Sequence, residues 1–161
     1  MTDSLRDFRH SLPMALLRAR EAAMARFRPL LRENGLTEQQ WRVIRTLADE
    51  DSIDAGELAS RSMLLAPSLT RILQFLEKNK LVRRKPDSRD QQRSVLTLTP
   101  QGRAVFQSVG PVSEYAYAEI EAEFGKDRLE DLYELLAAFS STLDRNLPET
   151  VQNGSPGVGI D

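Results

Sequence analysis

Two short helical patterns joined by four residues most constrain what this chain of 161 residues can fold into. Asp54 and Glu57 have the spacing of a helix N-terminus, and the pattern that they open ends near Arg61. A second pattern begins at Pro67, a residue that suits a first helical turn. Its apolar residues recur at helical spacing, namely Leu69, Ile72, Leu73 and Leu76. Together the two patterns predict a helix-turn-helix.

A β-hairpin is predicted directly after the second short helix. Residues 81–85 and 94–98 have the composition and alternation of strands, and their connector is long, polar and basic. Within that connector, Asp87 and Asp90 are expected to cap the turn or to pair with Arg89. A hairpin in this position is a wing, so the order of the patterns predicts a winged helix-turn-helix.

Long helical patterns flank this region on both sides. Residues 12–33 carry apolar side chains on more than one stripe, which predicts a long helix with more than one partner. Residues 37–48 begin with a capping box and predict another helix. A further helix is predicted for residues 100–124, with a possible bend at Gly110-Pro111. The last helix has apolar steps of three and four residues, typical of a dimer seam: Leu129, Leu132, Leu136, Phe139 and Leu143.

The formal net charge of −2 hides a strong separation of charge along the chain. Residues 61–93 carry a net charge of +6, whereas residues 114–149 carry −7. The basic segment can therefore present an anion-binding face although the whole chain is slightly acidic. The chain has no cysteine and one histidine, which excludes disulfides, thiolate metal sites and a cysteine nucleophile. No metal or other cofactor is expected.

Polar and basic side chains of the second short helix and the wing are the candidate DNA contacts. A helix N-terminus offers free N–H groups to phosphate, and Ser, Thr, Arg and Gln side chains can reach base edges. Arginine also binds phosphate through two hydrogen bonds. The candidates are Pro67, Ser68, Thr70, Arg71 and Gln74 in the helix, and Arg84, Arg89 and Arg93 in the wing. An ordinary solvated helix is the alternative, and the adjoining basic wing favours the DNA interpretation.

Three local strings lie in this pattern, namely residues 67–71 (Pro-Ser-Leu-Thr-Arg), residues 87–90 (Asp-Ser-Arg-Asp), and Leu98-Thr99 followed by Gly102. With these strings the chain resembles the MarR family of winged-helix transcription regulators. Residues 15–24, 27–29 and 36–42 are similar to the subgroup of that family that represses homoprotocatechuate degradative operons. Gln92 stands where the family usually has its second wing arginine, and Arg93 follows it.

The patterns and the resemblance together imply four regions. Residues 1–35 are expected to form a helix for dimerisation and a pocket, and residues 36–99 the DNA-binding lobe. Residues 100–147 are expected to form the C-terminal dimerisation helices, and residues 148–161 a flexible tail. The expected fold is mainly α with a small β-hairpin wing, dimerised through its N- and C-terminal helices.

Arg20 is the candidate ligand-binding residue that the helical periodicity identifies. It lies between Leu17 and Met24 on an apolar stripe, where a charge is expected either to pair with a carboxylate such as Glu21 or to bind an anionic ligand. The resemblance implies a pocket between the first helices and the DNA-binding lobe. It adds three candidates to Arg20, namely Arg18, Trp41 and Arg42. An aromatic wall beside a guanidinium suits a small aromatic carboxylate.

These observations predict a cytoplasmic homodimer that binds a pseudo-palindromic operator in double-stranded DNA and has no membrane segment. The resemblance implies a repressor that a small aromatic acid, similar to 4-hydroxyphenylacetate, releases from DNA. The alternative is a winged-helix module for DNA or protein contact without any small-molecule response. An enzyme is not expected, because the sequence offers no set of nucleophile, base and orienting group.

Overall fold

The computed structural model describes residues 7–144 of the chain. Within that range, a one-turn 3₁₀ helix, Phe8–His10, precedes six α-helices. These are α1 (Leu12–Glu33), α2 (Glu38–Ala48), α3 (Ala55–Arg61), α4 (Ala66–Lys78), α5 (Pro100–Phe124) and α6 (Lys126–Asp144). The fold is mainly α, as predicted, and the tail predicted for residues 148–161 lies outside the described residues.

Side-chain caps fix the beginnings of α2 and α3. The Thr37 Oγ1 atom accepts a hydrogen bond from the Gln40 N–H at 3.2 Å, and Gln40 Oε1 accepts one from the Thr37 N–H at 3.0 Å. Asp54 Oδ1 accepts a hydrogen bond from the Glu57 N–H at 2.9 Å. These oxygens satisfy N–H groups that have no partner inside the helix, so both predicted starts are confirmed.

A three-stranded antiparallel sheet carries the wing. Its strands are β1 (Ile53–Asp54), β2 (Val82–Pro86) and β3 (Ser94–Leu98), in the order β1-β3-β2. The predicted hairpin of β2 and β3 is confirmed, with β2 one residue further along the chain than expected. Strand β1 was not predicted, because two residues are too few to show a strand alternation.

The apolar core lies among α2, α3, α4 and the sheet. Helix α2 completely buries Val43, Ile44 and Leu47. The predicted stripe of α4 is buried as well: Leu69, Ile72, Leu73 and Leu76. Burying one such side chain contributes about 1.5–3 kcal/mol. This packing fixes the rotation of α4 and therefore decides which of its side chains face outward.

The start of α5 is locked against the chain between α4 and β2. Thr99 Oγ1 donates a hydrogen bond to the Lys80 carbonyl oxygen at 2.6 Å and accepts one from the Gly102 N–H at 3.0 Å. A Cβ atom on Gly102 would lie 2.0 Å from the Leu81 carbonyl oxygen, so glycine is required there. The Leu98-Thr99 string followed by Gly102 therefore has a packing reason: it fixes where the wing leaves the core.

The chain divides into two compact units between Tyr117 and Ala118, inside α5. Helix α5 runs through Gly110-Pro111 as one helix. In the first unit, α2 to α4 and the sheet bury the apolar core described above. In the second unit, α6 buries Leu129 and exposes its other large apolar side chains. Within residues 7–144 no helix is long and apolar enough to cross a membrane.

Candidate DNA-binding surface and adjoining cavity

Helix α4 presents a polar face opposite its buried stripe. Pro67, Thr70, Arg71 and Gln74 are exposed, and Ser68 is half-buried. The helix begins after Leu65, whose side chain makes no capping hydrogen bond, with Pro67 in the first turn. The first turn therefore leaves N–H groups available to an anion, beside side chains able to reach base edges.

The two arginines nearest to this turn differ in their pairing. Arg71 on α4 is exposed and has no ion-pair partner within residues 7–144. Arg61, at the end of α3, pairs with Glu50 and also lies 4.0 Å from Glu57 Oε1. The hydrogen bond that Arg61 donates to Glu50 raises the pKa of Arg61. Arg71 is consequently free to bind DNA, whereas Arg61 is held within the fold.

The two aspartates of the wing cap its turn, which is one of the two predicted alternatives. Asp87 Oδ1 accepts a hydrogen bond from the Arg89 N–H at 3.0 Å, and Asp90 Oδ1 accepts one from the Gln92 N–H at 3.0 Å. The loop is closed by the Asp87 N–H, which donates to the Arg93 carbonyl oxygen at 2.9 Å. Both carboxylates thus accept hydrogen bonds from backbone N–H groups of the turn. Arg89 and Arg93 remain exposed.

Arg84, the third predicted wing contact, has a carboxylate partner. Its Nε atom donates a hydrogen bond to Glu77 Oε1 at 3.2 Å, and both side chains are accessible to solvent. We call the predicted DNA contacts of α4 and the wing the DNA surface: Pro67, Ser68, Thr70, Arg71, Gln74, Arg84, Arg89 and Arg93. The structure brings its α4 members onto one helix and its wing members onto one hairpin.

A cavity of about 270 Å³ lies beside α2 in the same unit. Aromatic rings form much of its wall: Phe27, Trp41 and Tyr117. Phe27 and Tyr117 are in edge contact, with 4.8 Å between ring centroids, and Trp41 stacks on Phe106 at 5.9 Å. The remaining lining residues are Met24, Leu31, Glu38, Arg42, Arg45 and Ser113. The cavity is therefore mostly apolar, with a few charged and polar groups.

An arginine–carboxylate cluster joins α1 to α2 and contributes Glu38 and Arg42 to the cavity lining. Glu38 accepts hydrogen bonds from Arg20, from Arg28 Nε at 2.9 Å, and from Arg42 Nη2 at 3.3 Å. Glu21 accepts from Arg28 Nη1 at 2.6 Å and from Arg20 Nη1 at 3.1 Å. Three guanidinium groups thus outnumber two carboxylates in the cluster, and the cavity lining itself carries two arginines, Arg42 and Arg45, against Glu38.

The pairing in this cluster changes the pKa values of its members. The hydrogen bond from Arg28 lowers the pKa of Glu21. Burial by itself raises the pKa of Glu38, but hydrogen bonds from Arg20 and Arg28 outweigh burial and the pKa is lowered. The hydrogen bonds that Arg28 donates, first to Glu21 and then to Glu38, raise the pKa of Arg28. Both carboxylates, Glu21 and Glu38, are therefore ionised at neutral pH.

Arg42 also reaches away from the cavity, towards the turn between α3 and α4. Its Nη1 atom donates hydrogen bonds to the Ser62 carbonyl oxygen at 3.0 Å and to the Met63 carbonyl oxygen at 3.4 Å. Ser62 is completely buried, and its Oγ atom donates to Thr46 Oγ1 at 3.1 Å. Helix α2 therefore holds this turn through two separate side chains.

Two of the four predicted ligand residues line the cavity, and two do not. Trp41 and Arg42 lie in its wall, whereas Arg18 and Arg20 are absent from the lining within residues 7–144. Arg20 is paired with Glu21 and Glu38, so the predicted carboxylate partner is present.

The structure adds lining residues that the sequence interpretation missed. Arg45 and Glu38 lie four and three residues from Trp41, so the helical period of α2 is the signal that identifies them. The other missed residues come from α1 and α5: Met24, Phe27, Leu31, Ser113 and Tyr117. Of the lining cations, Arg45 has no ion-pair partner within residues 7–144.

The predicted dimer seam lies on α6. Leu132, Leu136, Phe139 and Leu143 are exposed in the single chain, whereas Leu129 is only 7% exposed. Helix α1 likewise exposes three large apolar side chains, Leu12, Leu16 and Leu17. An exposed leucine alone is ordinary, but a stripe repeated over about four helical turns predicts a covering partner.

The fold and these two features define a class of protein. A helix-turn-helix made of α3 and α4, followed by a basic wing made of β2 and β3, is a winged-helix DNA-binding lobe. The model of the MarR family matches residues 36–95, which include both helices and most of the wing.

Similar proteins identify the family of the whole chain. The homoprotocatechuate degradative operon repressor of Escherichia coli is 44% identical over 129 residues, which cover 80% of this chain and 87% of that protein. NadR, solved in complex with 4-hydroxyphenylacetate, is 37% identical with a TM-score of 0.77, covering 85% of this chain and all of that one. CouR, solved on a 23-mer DNA duplex, is 25% identical with a TM-score of 0.74, covering 80% and 92%. This chain belongs to the MarR family, and it is a winged-helix transcriptional regulator.

Proposed function

We propose that this protein is a dimeric repressor that leaves its operator when a small aromatic carboxylic acid, similar to 4-hydroxyphenylacetate, binds beside α2. One observation carries the proposal: the cavity has an aromatic wall of Phe27, Trp41 and Tyr117, and a guanidinium, Arg45, without a carboxylate partner within residues 7–144. An aromatic ring and a carboxylate complement those two elements.

The size and charge of the cavity support this class of ligand. Its volume of about 270 Å³ lies just below the usual range for drug-sized ligands and suits a compound with one ring. The excess of arginine over carboxylate in the cavity lining favours an anion. NadR, of which this chain spans the full length, was solved with a ligand of that class. The relative of 44% identity represses an operon for degrading an aromatic acid.

The DNA surface supports operator recognition by two different means. We propose that α4 enters the major groove, where Arg71, Ser68, Thr70 and Gln74 reach base edges. The arginines of the wing contact phosphate or the adjoining minor groove. A protein with this role acts on chromosomal DNA, so it works in the cytoplasm and performs no catalysis.

Two copies of the winged lobe are required for such an operator. A two-fold dimer places recognition helices on half-sites about 34–36 Å apart, one turn of DNA. We propose that Leu132, Leu136, Phe139 and Leu143 of α6 contribute to that dimer, with a smaller part for Leu129. We propose the exposed apolar side chains of α1, namely Leu12, Leu16 and Leu17, as further dimer contacts.

A charge in the seam tests the dimer. Leu136→Asp buries an unpaired carboxylate in the proposed interface and should dissociate or unfold the protein. Leu135→Asp, next to it but outside the stripe and 68% exposed, should leave the dimer intact. Sedimentation velocity of the wild type and both variants measures the outcome. A monomeric wild type, or a dimer unaffected by Leu136→Asp, contradicts the proposal.

Titration of the operator complex with 4-hydroxyphenylacetate and related acids tests the effector. The operator is first selected by the wild-type protein from random duplexes, and release is followed by fluorescence anisotropy. Loss of a charge-assisted hydrogen bond to a buried carboxylate costs about 1.5–3 kcal/mol, so Arg45→Met should raise the release midpoint roughly ten- to a hundredfold.

The controls use two of the three arginines that the sequence suggested for the same role. Arg20→Ala should shift the release midpoint less than Arg45→Met, because Arg20 is already held by Glu21 and Glu38. Arg18→Met should leave the midpoint unchanged. A larger effect of Arg20→Ala than of Arg45→Met would identify Arg20 as the anchor. No release of the wild type by any such acid would remove this class of effector.

A further inference from the structure

One side chain touches both the cavity and the helix-turn-helix. Arg42 lines the cavity, and its Nη2 atom lies 3.3 Å from Glu38 Oε1 in the arginine–carboxylate cluster. The Nη1 atom of the same guanidinium donates to the carbonyl oxygens of Ser62 and Met63. Both of these residues belong to the turn that leads into α4 within four residues. Arg42 therefore connects the cavity with the turn that precedes the DNA surface.

The turn depends on contacts from outside itself. Met63 has a φ of 52°, a backbone conformation that residues with a side chain rarely adopt, and its side chain is 83% exposed. The carbonyl groups of Ser62 and Met63 follow the end of α3, where helical carbonyls lack helical partners. Arg42 supplies hydrogen bonds to both. Because its own side chain packs so little, Met63 adds little to holding the turn, and the guanidinium of Arg42 supports it.

An aromatic carboxylate in the cavity offers Arg42 a stronger acceptor than the turn does. A hydrogen bond from a guanidinium to a carboxylate is about twice as strong as one between neutral groups. Two parallel bonds form only when the guanidinium and the carboxylate lie in the same plane. The Nη1 atom that holds the turn is part of the same rigid fork. Turning the fork towards a ligand draws Nη1 away from the carbonyl oxygens of Ser62 and Met63.

We infer that Arg42 is the positioning residue that couples effector binding to operator release. Without effector, Arg42 holds the α3–α4 turn in the conformation that presents α4 to DNA. With effector, Arg42 turns towards the carboxylate, the turn loses two hydrogen bonds, and the first residues of α4 change direction. This inference rests on the proposed function, because it requires an acid that binds in the cavity and weakens operator binding.

Linkage gives the quantity that measures this coupling. An effector that weakens DNA binding by a certain factor must itself bind the operator complex more weakly by the same factor. That factor is the operator Kd at saturating 4-hydroxyphenylacetate divided by the operator Kd without it. A purely structural defect lowers operator affinity in both states and leaves this coupling ratio unchanged. The ratio therefore separates coupling from stability.

Arg42→Met is the decisive variant, and Arg45→Met is its matched control. Methionine keeps an unbranched apolar stem at position 42. It removes the hydrogen bonds that Arg42 donates to Glu38 and to the turn. Arg45 lines the same cavity and makes no hydrogen bond to the turn within the described residues. Trp41, the single tryptophan of the chain, lies in the wall and reports binding of 4-hydroxyphenylacetate to the free dimer by fluorescence.

The expected wild-type coupling ratio is about 5- to 150-fold, the usual range for coupled sites. Arg42→Met should still bind 4-hydroxyphenylacetate, with a raised Kd, but its coupling ratio should fall to within about threefold of one. Arg45→Met should bind the acid more weakly and keep the wild-type ratio at saturation. Arg42→Lys keeps the charge without the fork, and it should also lose most of the ratio. It replaces Arg42→Met if thermal unfolding shows that the latter does not fold.

The outcomes separate this inference from the proposed function. A wild-type ratio of one with 4-hydroxyphenylacetate and related aromatic acids overturns the proposed function, and the inference with it. A wild-type ratio well above one that Arg42→Met and Arg42→Lys retain overturns the inference alone. Equal loss of the ratio in Arg45→Met and Arg42→Met also overturns it, since coupling would then need the cavity charge and not the turn.

Discussion

The arginines of this chain fall into two sets that the structure treats in opposite ways. In the arginine–carboxylate cluster beside the cavity, every guanidinium donates to Glu21 or Glu38. On the DNA surface, Arg71, Arg89 and Arg93 are exposed and have no carboxylate partner within residues 7–144. Both sets consist of arginines, so composition alone cannot distinguish them.

The difference follows from solvation. Arg28 and Arg42 of the cluster are partly buried, and the carboxylates offset the water that these guanidinium groups lose, whereas Arg20 pairs with Glu38 although its side chain is 43% exposed. An exposed guanidinium keeps its water at little cost and can exchange it for a phosphate or a base. Arg84, exposed but paired with Glu77, lies between the two sets. Each of the following substitutions removes either one arginine of these sets or the carboxylate that pairs with it.

The largest effect is expected from removing an unpaired arginine of α4. Arg71→Ala should weaken operator binding by about 1–3 kcal/mol per half-site and reduce discrimination against other sequences, because a base contact is lost. Arg61→Ala, ten residues earlier and paired with Glu50, should change operator affinity little. Anisotropy with operator and scrambled duplexes at one salt concentration measures both. Equal losses on the two duplexes for Arg71→Ala would refute base recognition.

A smaller effect is expected from removing the carboxylate that three arginines share. Glu38→Gln should lower the free energy of unfolding at pH 7 by about 1–2 kcal/mol, because hydrogen bonds to an ionised group are lost. The folded-state pKa of Glu38 is lowered, so its contribution is present above its ordinary value of 4.5 and is lost as the pH falls through the folded-state value.

The measurement is urea unfolding between pH 7 and about pH 3 for wild type and variant. The difference between them should be largest at pH 7 and should shrink below pH 4.5, where protonation removes the same bonds in the wild type. Glu33→Gln, an exposed glutamate at the end of α1, is the control and should be neutral. A difference that stays constant over the whole range contradicts the role of the Glu38 charge.

The wing arginines are expected to act on every duplex alike. Each lost phosphate contact reduces the slope of log Kd against log salt by about 0.9, hence roughly 2 for a dimer. Arg89→Ala should give this change, and Arg84→Ala a smaller one because Glu77 already shares its charge. Arg93→Ala tests the position after Gln92. Salt titrations on random DNA measure the slopes, and an Arg84→Ala slope equal to that of Arg89→Ala contradicts the comparison.

Much of the DNA-binding lobe could be predicted from the sequence because its signals are local. The cap at Thr37, the cap at Asp54 and the proline in the first turn of α4 each act within four residues. The buried stripe of α4 fixes its outward face by helical geometry alone. Once these elements are placed, the exposure of Arg71 follows.

The cavity could not be predicted in the same way, because its contacts are distant in sequence. Arg20 looked like a ligand anchor, but its carboxylate partner Glu38 lies 18 residues away on another helix. Ser113 and Tyr117 reach the cavity from α5, and no local pattern places that helix beside α1. Arg45 lies one helical turn after Trp41 on α2, so the helical period of α2 does predict that the two residues share a face. Only the tertiary structure shows that Arg45 lines the cavity without a carboxylate partner within the described residues.

The smallest effect is expected from freeing a paired arginine. Glu77→Gln removes the partner of Arg84 and one negative charge beside the wing, so it should strengthen binding to random DNA by about 0.2–1 kcal/mol, the usual value of an exposed pair. The gain should vanish at high salt, because phosphate contacts are screened. Glu50→Gln frees Arg61 in the same way and is the matched control.

If pairing alone decides which arginines bind DNA, both variants gain affinity. If position on the DNA surface decides, Glu77→Gln gains and Glu50→Gln does not. We expect the second result, because Arg84 lies on the wing strand β2, whereas Arg61 ends α3. No gain for Glu77→Gln would mean that Arg84 contacts DNA with Glu77 still bound, or not at all, and Arg84 would then leave the DNA surface.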